Sequence, residues 1–198
     1  MGMDVLPSDV RKRAEVSKLA PHSIDRAIKV ARSIQHPWYR CQALANAAHA
    51  HLDKIRALRL LEDAFSAAEE QDEINRIVTV ASWPLKVCVK LAPEMAQKRL
   101  TALLAMAGKE PHGLRRGDAL HALLFAVADS PTLKAQAIPP LVDTLTSGHG
   151  WRIERLIADT ATLIRVDHPE YLPRLLAALP ENRRKRKLLE VLGGAKAA

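Results

Sequence analysis

The residues of this 198-residue chain that could do chemistry are carboxylates, histidines and two cysteines, and each group meets a physical objection. Glu69, Glu70, Asp72 and Glu73 are dense enough to suggest a general acid and base. Such a pair needs one carboxyl whose pKa is raised by burial, whereas four acids at a helix end are expected to be hydrated. The eight histidines suggest a metal, with His36, His112 and His149 in turns between helices. Turns of neighbouring helices lie about 10 Å apart, too far for shared coordination at Zn–N distances of about 2 Å. His49 and His51, two positions apart on a helix, point in different directions. The turn histidines are instead expected to cap helix C-termini, where the dipole favours a cationic ring. Cys41 and Cys88 stand 47 positions apart with no Cys-x-x-Cys, which predicts reduced, half-buried thiols. No His-Glu-x-x-His, Gly-x-Ser-x-Gly or Gly-x-x-x-x-Gly-Lys-Ser/Thr segment occurs. The expectation is a chain without catalytic residues, metal or cofactor, hence not an enzyme.

Binding chemistry is better represented. Arg40, Arg76, Arg116 and Arg155 lead the second helices of successive helix pairs, at spacings of 36, 40 and 39 residues. Side by side, they would line a groove for an acidic peptide or a phosphate backbone; alternatively each pairs with a local carboxylate or a helix-end carbonyl. The run Arg183, Arg184, Lys185, Arg186 and Lys187 supplies five positive charges, and without it the formal net charge falls from +8 to +3. It reads either as the solvated outer face of a terminal helix or as a nucleic-acid contact. Smaller clusters are Arg11–Lys12–Arg13 and Arg115–Arg116. Trp38 and Trp151 stand at the start of second helices and are expected to pack across the preceding turn, with base stacking as the alternative. Trp83, before Pro84, marks a site with an exposed ring.

The elements that must position these residues are helices. Apolar residues make up 48% of the chain but aromatics only 4%, so the apolar content is Ala and Leu, which favour helix over strand. Ile24, Ala27, Ile28, Ala31 and Ile34 follow the spacing of one buried stripe after Ser23, a good N-cap. A helix from Ser8 precedes them and ends before Pro21. Further helices start at Pro93 and at Ser130-Pro131, and Gly148-His149-Gly150 separates two more. Pro84 falls inside a helix, where it is expected to kink or split it. The chain finishes in Gly193-Gly194-Ala-Lys-Ala-Ala, expected to be frayed. The pattern predicts about eleven helices in one domain, 1–198: a lead-in helix at 8–22, repeats at 23–53, 54–92, 93–130 and 131–168, and a capping repeat at 169–192.

Units of 36 to 40 residues suit stacked helix pairs, none of which buries its own apolar face. The text Asp25-Arg-Ala-Ile-Lys-Val-Ala-Arg-Ser-Ile, followed by Pro37-Trp-Tyr-Arg-Cys-Gln-Ala-Leu-Ala, resembles the bacterial αα-repeat proteins, HEAT/armadillo-like or TPR-like, over residues 23–50. The resemblance implies an all-α, right-handed α-α superhelix, a solenoid of about five antiparallel helix pairs plus the N-terminal helix. It implies a scaffold or recognition module and carries no catalytic residues. The expected partner is another protein or an acidic peptide held in the groove. Nucleic acid on the basic clusters is the alternative. A third reading is a HEAT-like DNA glycosylase, for which Trp151 with Asp159 would supply the aromatic wall and the carboxylate. The absence of an 18-residue apolar stretch, and of a basic-then-apolar segment over Met1–Val10, predicts a cytoplasmic protein without a membrane span.

Overall fold

The computed structural model describes residues 6–50 and 53–194; the expectations for His51 and for the tail after Gly194 fall outside them. The described residues form eleven α-helices and no strand. In order they are α1 (Pro7–Leu19), α2 (Ile24–Arg32), α3 (Pro37–Ala50), α4 (Lys54–Glu69), α5 (Ile74–Leu91), α6 (Pro93–Gly108), α7 (Gly113–Ala126), α8 (Pro131–Thr146), α9 (Trp151–Ile164), α10 (Leu172–Ala177) and α11 (Arg183–Gly194), with one 3-10 turn at Pro169–Tyr171 before α10. Proline opens α1, α3, α6 and α8, where its missing N–H costs nothing. Ser23 and Ser130 stand at N-caps but make no capping bond. Asp53 does cap, accepting the Ile55 N–H at 2.9 Å. Gly193 and Gly194 continue α11 instead of fraying.

Alternate helices pack on one another. The helices α1, α3, α5, α7, α9 and α11 form one layer, each against the next. In the other layer α6 packs on α8 and α8 on α10. The two layers close over a single cluster of buried side chains that runs from Val16 in α1 to Leu188 in α11. Much of it is alanine: Ala43, Ala47 and Ala48 of α3 and Ala64, Ala67 and Ala68 of α4 are all buried in it, which lets these two helices approach closely.

Long side chains stitch the second layer. Arg56 of α4 reaches Asp25 of α2 at 2.6 Å, and Arg32 of α2 reaches Asp63 of α4 at 2.8 Å. Arg99 of α6 pairs with Glu62 and, at 3.5 Å, with Glu69 of α4. Gln97 and Gln136 exchange two amide bonds of 2.7 and 2.9 Å between α6 and α8. Arg174 meets Asp143 at 2.8 Å between α10 and α8. Each exposed pair is weak alone, about 0–1 kcal/mol. Their recurrence sets the spacing of helices that share little apolar contact.

Pro84 does not split its helix: α5 is one α-helix of 18 residues with Pro84 buried inside it. A proline at 84 cannot donate to the carbonyl four residues earlier, at Val80. The Cys41 thiol supplies the substitute, donating to the Val80 carbonyl at 3.4 Å from α3. Burial pushes the Cys41 pKa up, against a smaller opposing effect of Arg40, so the thiol keeps the proton it donates. Cys41→Ala is expected to lower stability by about 1–2 kcal/mol and Cys41→Ser, which keeps a donor, by less. Urea unfolding of the two variants checks this, and equal losses would remove the hydrogen bond as the cause.

Candidate functional site

The true register of the repeat lies in its buried positions. Leu44, Ala81, Leu120 and Ile157 are all buried and are spaced 37, 39 and 37 residues apart; Ala48, Leu85, Leu124 and Ala161 repeat the same spacing. Carried to the opposite side of α3, α5, α7 and α9, that register makes two surface rows. One is Asn46, Trp83, Ala122 and Asp159; the other is His49, Lys86, Phe125 and Thr162. Across α3, α5 and α7 these rows border a groove of about 710 Å³ whose walls are mostly apolar. Trp83 is 46% exposed and Phe125 56% exposed, unusual for large rings in a chain with so few. Lys86 holds its ammonium 5.0 Å from the centre of the Phe125 ring, a cation–π contact. Lys86 and Lys90 line the groove and no carboxylate does.

His121 closes the α7 side. Burial lowers its pKa, partly offset by the carboxylates of Asp159 and Asp118. Asp118 itself is pushed up by loss of solvent, against the pull of Arg152, His121 and Arg155. Among the described residues no group of three or more His, Cys, Asp and Glu is placed to hold a metal ion. Cys88 lies 3.4 Å from the Met95 sulfur, and burial pushes its thiol up to about 12, so it is a poor nucleophile.

The four arginines expected to align do not share a row. In the buried register Arg40 matches Arg116, Arg76 matches Arg115 and Arg152, and Arg155 matches Asp118. Arg40 donates to the carbonyls of Ile34 (3.2 Å) and Gln35 (3.0 Å) beyond the end of α2 and pairs with Glu70. Arg116 does the equivalent for α6, donating to the Glu110 carbonyl at 3.3 Å. Arg76 pairs with Asp72 (3.4 Å) and Glu73 (3.7 Å), and Arg155 with Asp159 (3.6 Å). The acidic run Glu69–Glu73 is therefore not merely hydrated: it is the shared counter-ion of Arg40, Arg76, Arg99 and Arg115.

The terminal basic cluster is divided. Arg184 donates to the Trp151 carbonyl (2.9 Å) and pairs with Glu154 (3.3 Å), while Lys185 pairs with Glu181 (2.5 Å) and donates to the Leu179 carbonyl (3.3 Å). Arg183, Arg186 and Lys187 make no ion pair among the described residues. Near the other end of the stack, Lys12 donates to the Ser33 carbonyl at 2.9 Å and Arg13 to Gln42 at 3.0 Å.

Two expectations about rings need correction. His36 and His112 cap helix N-termini, not C-termini. The Nδ1 of His36 accepts the Trp38 N–H at 3.2 Å and that of His112 the Arg115 N–H at 3.4 Å. A ring nitrogen that accepts carries no proton, so the lone pair and not a positive charge does the capping. Trp38 packs against the core as expected, but Trp151 is 61% exposed, with the Arg152 guanidinium 5.5 Å from its ring. Buried Ile34 and His36 precede Trp38, whereas Gly148-His149-Gly150 brings no apolar side chain to cover Trp151. Trp151 and Asp159 lie two turns apart on α9, with Arg155 taking Asp159.

Sequence reasoning singled out Trp83 in this groove and missed Phe125, Lys86, Lys90 and His121. The signal that finds them is the spacing of small and aliphatic buried residues, which fixes the opposite face, and not the spacing of arginines. Among known proteins, no family model, no curated protein and no solved structure matches this chain.

Proposed function

We propose that this chain is a non-enzymatic αα-repeat recognition module, HEAT/armadillo-like or TPR-like in architecture, that holds a segment of another protein in the groove across α3, α5 and α7. In this reading α2/α3, α4/α5, α6/α7, α8/α9 and α10/α11 are five helix pairs of a right-handed superhelix in the cytoplasm, and α1 closes the first. No helix among the described residues is long and apolar enough to cross a membrane. The observation that carries the reading is the exposure of Trp83 and Phe125 on the wall of one groove, with Lys86 at the repeat position matching Phe125 and stacked on its ring. An exposed apolar patch rimmed by polar groups is the usual mark of a binding surface, and aromatic anchors in a pre-formed cleft supply most of the affinity in such surfaces. Of the arginine ladder, Arg40 and Arg116 are assigned to holding the stack, donating to carbonyls beyond α2 and α6, while Arg76 and Arg155 make only exposed pairs within their own units.

The test is a pair of baits, wild type and Trp83→Ala/Phe125→Ala, against the same partner pool. Segments held by the wild type are expected to bind the double variant at least about tenfold more weakly, since each lost aromatic anchor costs about 1–2 kcal/mol or more. Equal retention by both baits would reject the groove.

A nucleic-acid reading rests on Arg183, Arg186 and Lys187, which remain available, and on the net charge of +8. Its weakness is geometry. Arg11–Arg13 lies on α1, the first helix of the layer, and Arg183–Lys187 on α11, the last, about 40–50 Å away at about 8–10 Å per helix. A gel shift at two salt concentrations decides: a complex whose affinity collapses with salt and is lost on Arg186→Glu/Lys187→Glu would move the reading to nucleic acid.

A further inference from the structure

Resting on the recognition reading, we propose that the occupant of the groove is an acidic amphipathic α-helix, not an extended peptide. The groove gives an extended chain no backbone groups to pair with. It is floored by three α-helices, whose backbone groups are already paired within their own turns. Of its polar side chains, Asn46 donates to the Ser17 hydroxyl at 2.6 Å and Ser82 to the Thr79 carbonyl at 2.7 Å, which leaves His49, Thr79, His121 and the two lysines as scattered partners. A peptide backbone laid there would lose water from more N–H and C=O groups than these side chains can replace, a cost charged to every residue left unpaired. A helix satisfies its own backbone and presents only side chains, which is what a mostly apolar cleft accepts.

Size and charge agree. Two steps from α3 through α5 to α7 span about 20 Å, at about 8–10 Å between helix axes. At about 1.5 Å rise per residue that is three to four turns of helix. The cations of the lining are Lys86 and Lys90, with no lining carboxylate. Lys90 is held only by a 3.6 Å pair with Asp129 in which both side chains are more than half exposed. Such a pair exchanges for an incoming carboxylate at little cost. Lys86 already lies on the Phe125 ring, so a carboxylate arriving there meets a cation positioned beside an apolar surface. The matching helix carries Asp or Glu beside an apolar stripe, the apolar residues resting on Trp83 and Phe125.

A displayed library of random 14-residue peptides, selected on the full chain, tests this without knowing the natural partner. The expected pool is enriched in peptides with at least two carboxylates and apolar residues at i, i+3 or i+4 spacing. Synthesised members gain helical circular dichroism on binding. They lose at least tenfold in affinity for Lys86→Glu/Lys90→Glu and for Trp83→Ala/Phe125→Ala. Lys86→Gln/Lys90→Gln serves as a milder pair, and far-UV spectra check that each variant is folded. A pool that loses binding to Trp83→Ala/Phe125→Ala but is neutral or basic, or that stays non-helical when bound, overturns the acidic-helix inference and leaves the groove standing. No enriched pool, or a pool indifferent to Trp83→Ala/Phe125→Ala, overturns both.

Discussion

Asp9→Ala is expected to lower the stability of the stack by about 3 kcal/mol. Asp9 lies in the first turn of α1, yet its side chain is fully buried. One carboxylate oxygen accepts the His36 N–H at 2.8 Å, and the other faces the Gln35 N–H at 3.4 Å. These amides belong to the turn between α2 and α3, where a helix start leaves N–H groups without intrahelical partners. The carboxylate therefore holds the turn just ahead of α3 from a different helix, while the His36 ring caps α3 itself. Alanine removes a hydrogen bond to a charged acceptor and leaves a buried N–H unpaired, the two components that make such substitutions severe. Asp9→Asn keeps one acceptor for the His36 N–H but loses the charge and turns an NH2 group toward the Gln35 N–H, so it is expected to cost about 1–2 kcal/mol, less than alanine. Urea unfolding orders the two variants, and amide exchange at His36 locates the effect. A loss below about 1 kcal/mol for Asp9→Ala would mean that water replaces the carboxylate and that α1 is not pinned by it.

The helix boundaries were legible because they are written locally. Pro93 and Pro131 open helices by fixing their own φ, while Gly108 closes one and Gly148–Gly150 separates two through the freedom of a backbone without Cβ. Pro84 was misleading for the opposite reason. Its helix continues, and a thiol 43 positions earlier donates to the carbonyl the proline leaves without a donor, a contact that no rule about neighbours in sequence contains. Asp9 is of the same kind.

The groove was legible only in part, and the reason is side-chain reach. An arginine finds a carboxylate or a carbonyl from several positions in a helical turn, so its place in a repeat is free to drift, by one residue at Arg76 and by two at Arg155. A buried alanine or leucine cannot drift, because one residue turns it about 100° out of the core. Registers built on Leu44, Ala81, Leu120 and Ile157 therefore point to the exposed face correctly, while registers built on arginines rotate it. The chemical consequence is a division of labour. Most arginines hold adjacent units together, and the surface left for a partner is lined by rings and lysines.

The second large effect is expected at Lys134. Its side chain is only 4% exposed, and its ammonium donates to the Leu163 carbonyl at 2.9 Å and to Asp167 at 2.8 Å. The ammonium ties α8 to the last turn of α9, where carbonyls lack partners and the helix dipole favours a cation. Lys134→Met keeps most of the apolar stem and removes the charge, leaving the Leu163 carbonyl without its donor; the expected loss is about 2–3 kcal/mol at neutral pH. This loss has a pH signature. The hydrogen bond from Lys134 holds the Asp167 carboxyl below its ordinary range. A depressed carboxyl contributes stability that is fully present above its unfolded pKa of about 4 and is lost as pH falls through the lower folded value. The stability gap between wild type and Lys134→Met should therefore be constant from pH 7 to about 5 and shrink below about 4. The other carboxylates titrate alike in both proteins and cancel in the difference. Asp167→Asn supplies the control: set against Asp167→Asn/Lys134→Met, its gap should stay flat with pH. Urea unfolding at pH 7, 4.5 and 2.5 reads both comparisons, and a wild-type gap that widens on acidification would contradict the Lys134–Asp167 pairing as its source.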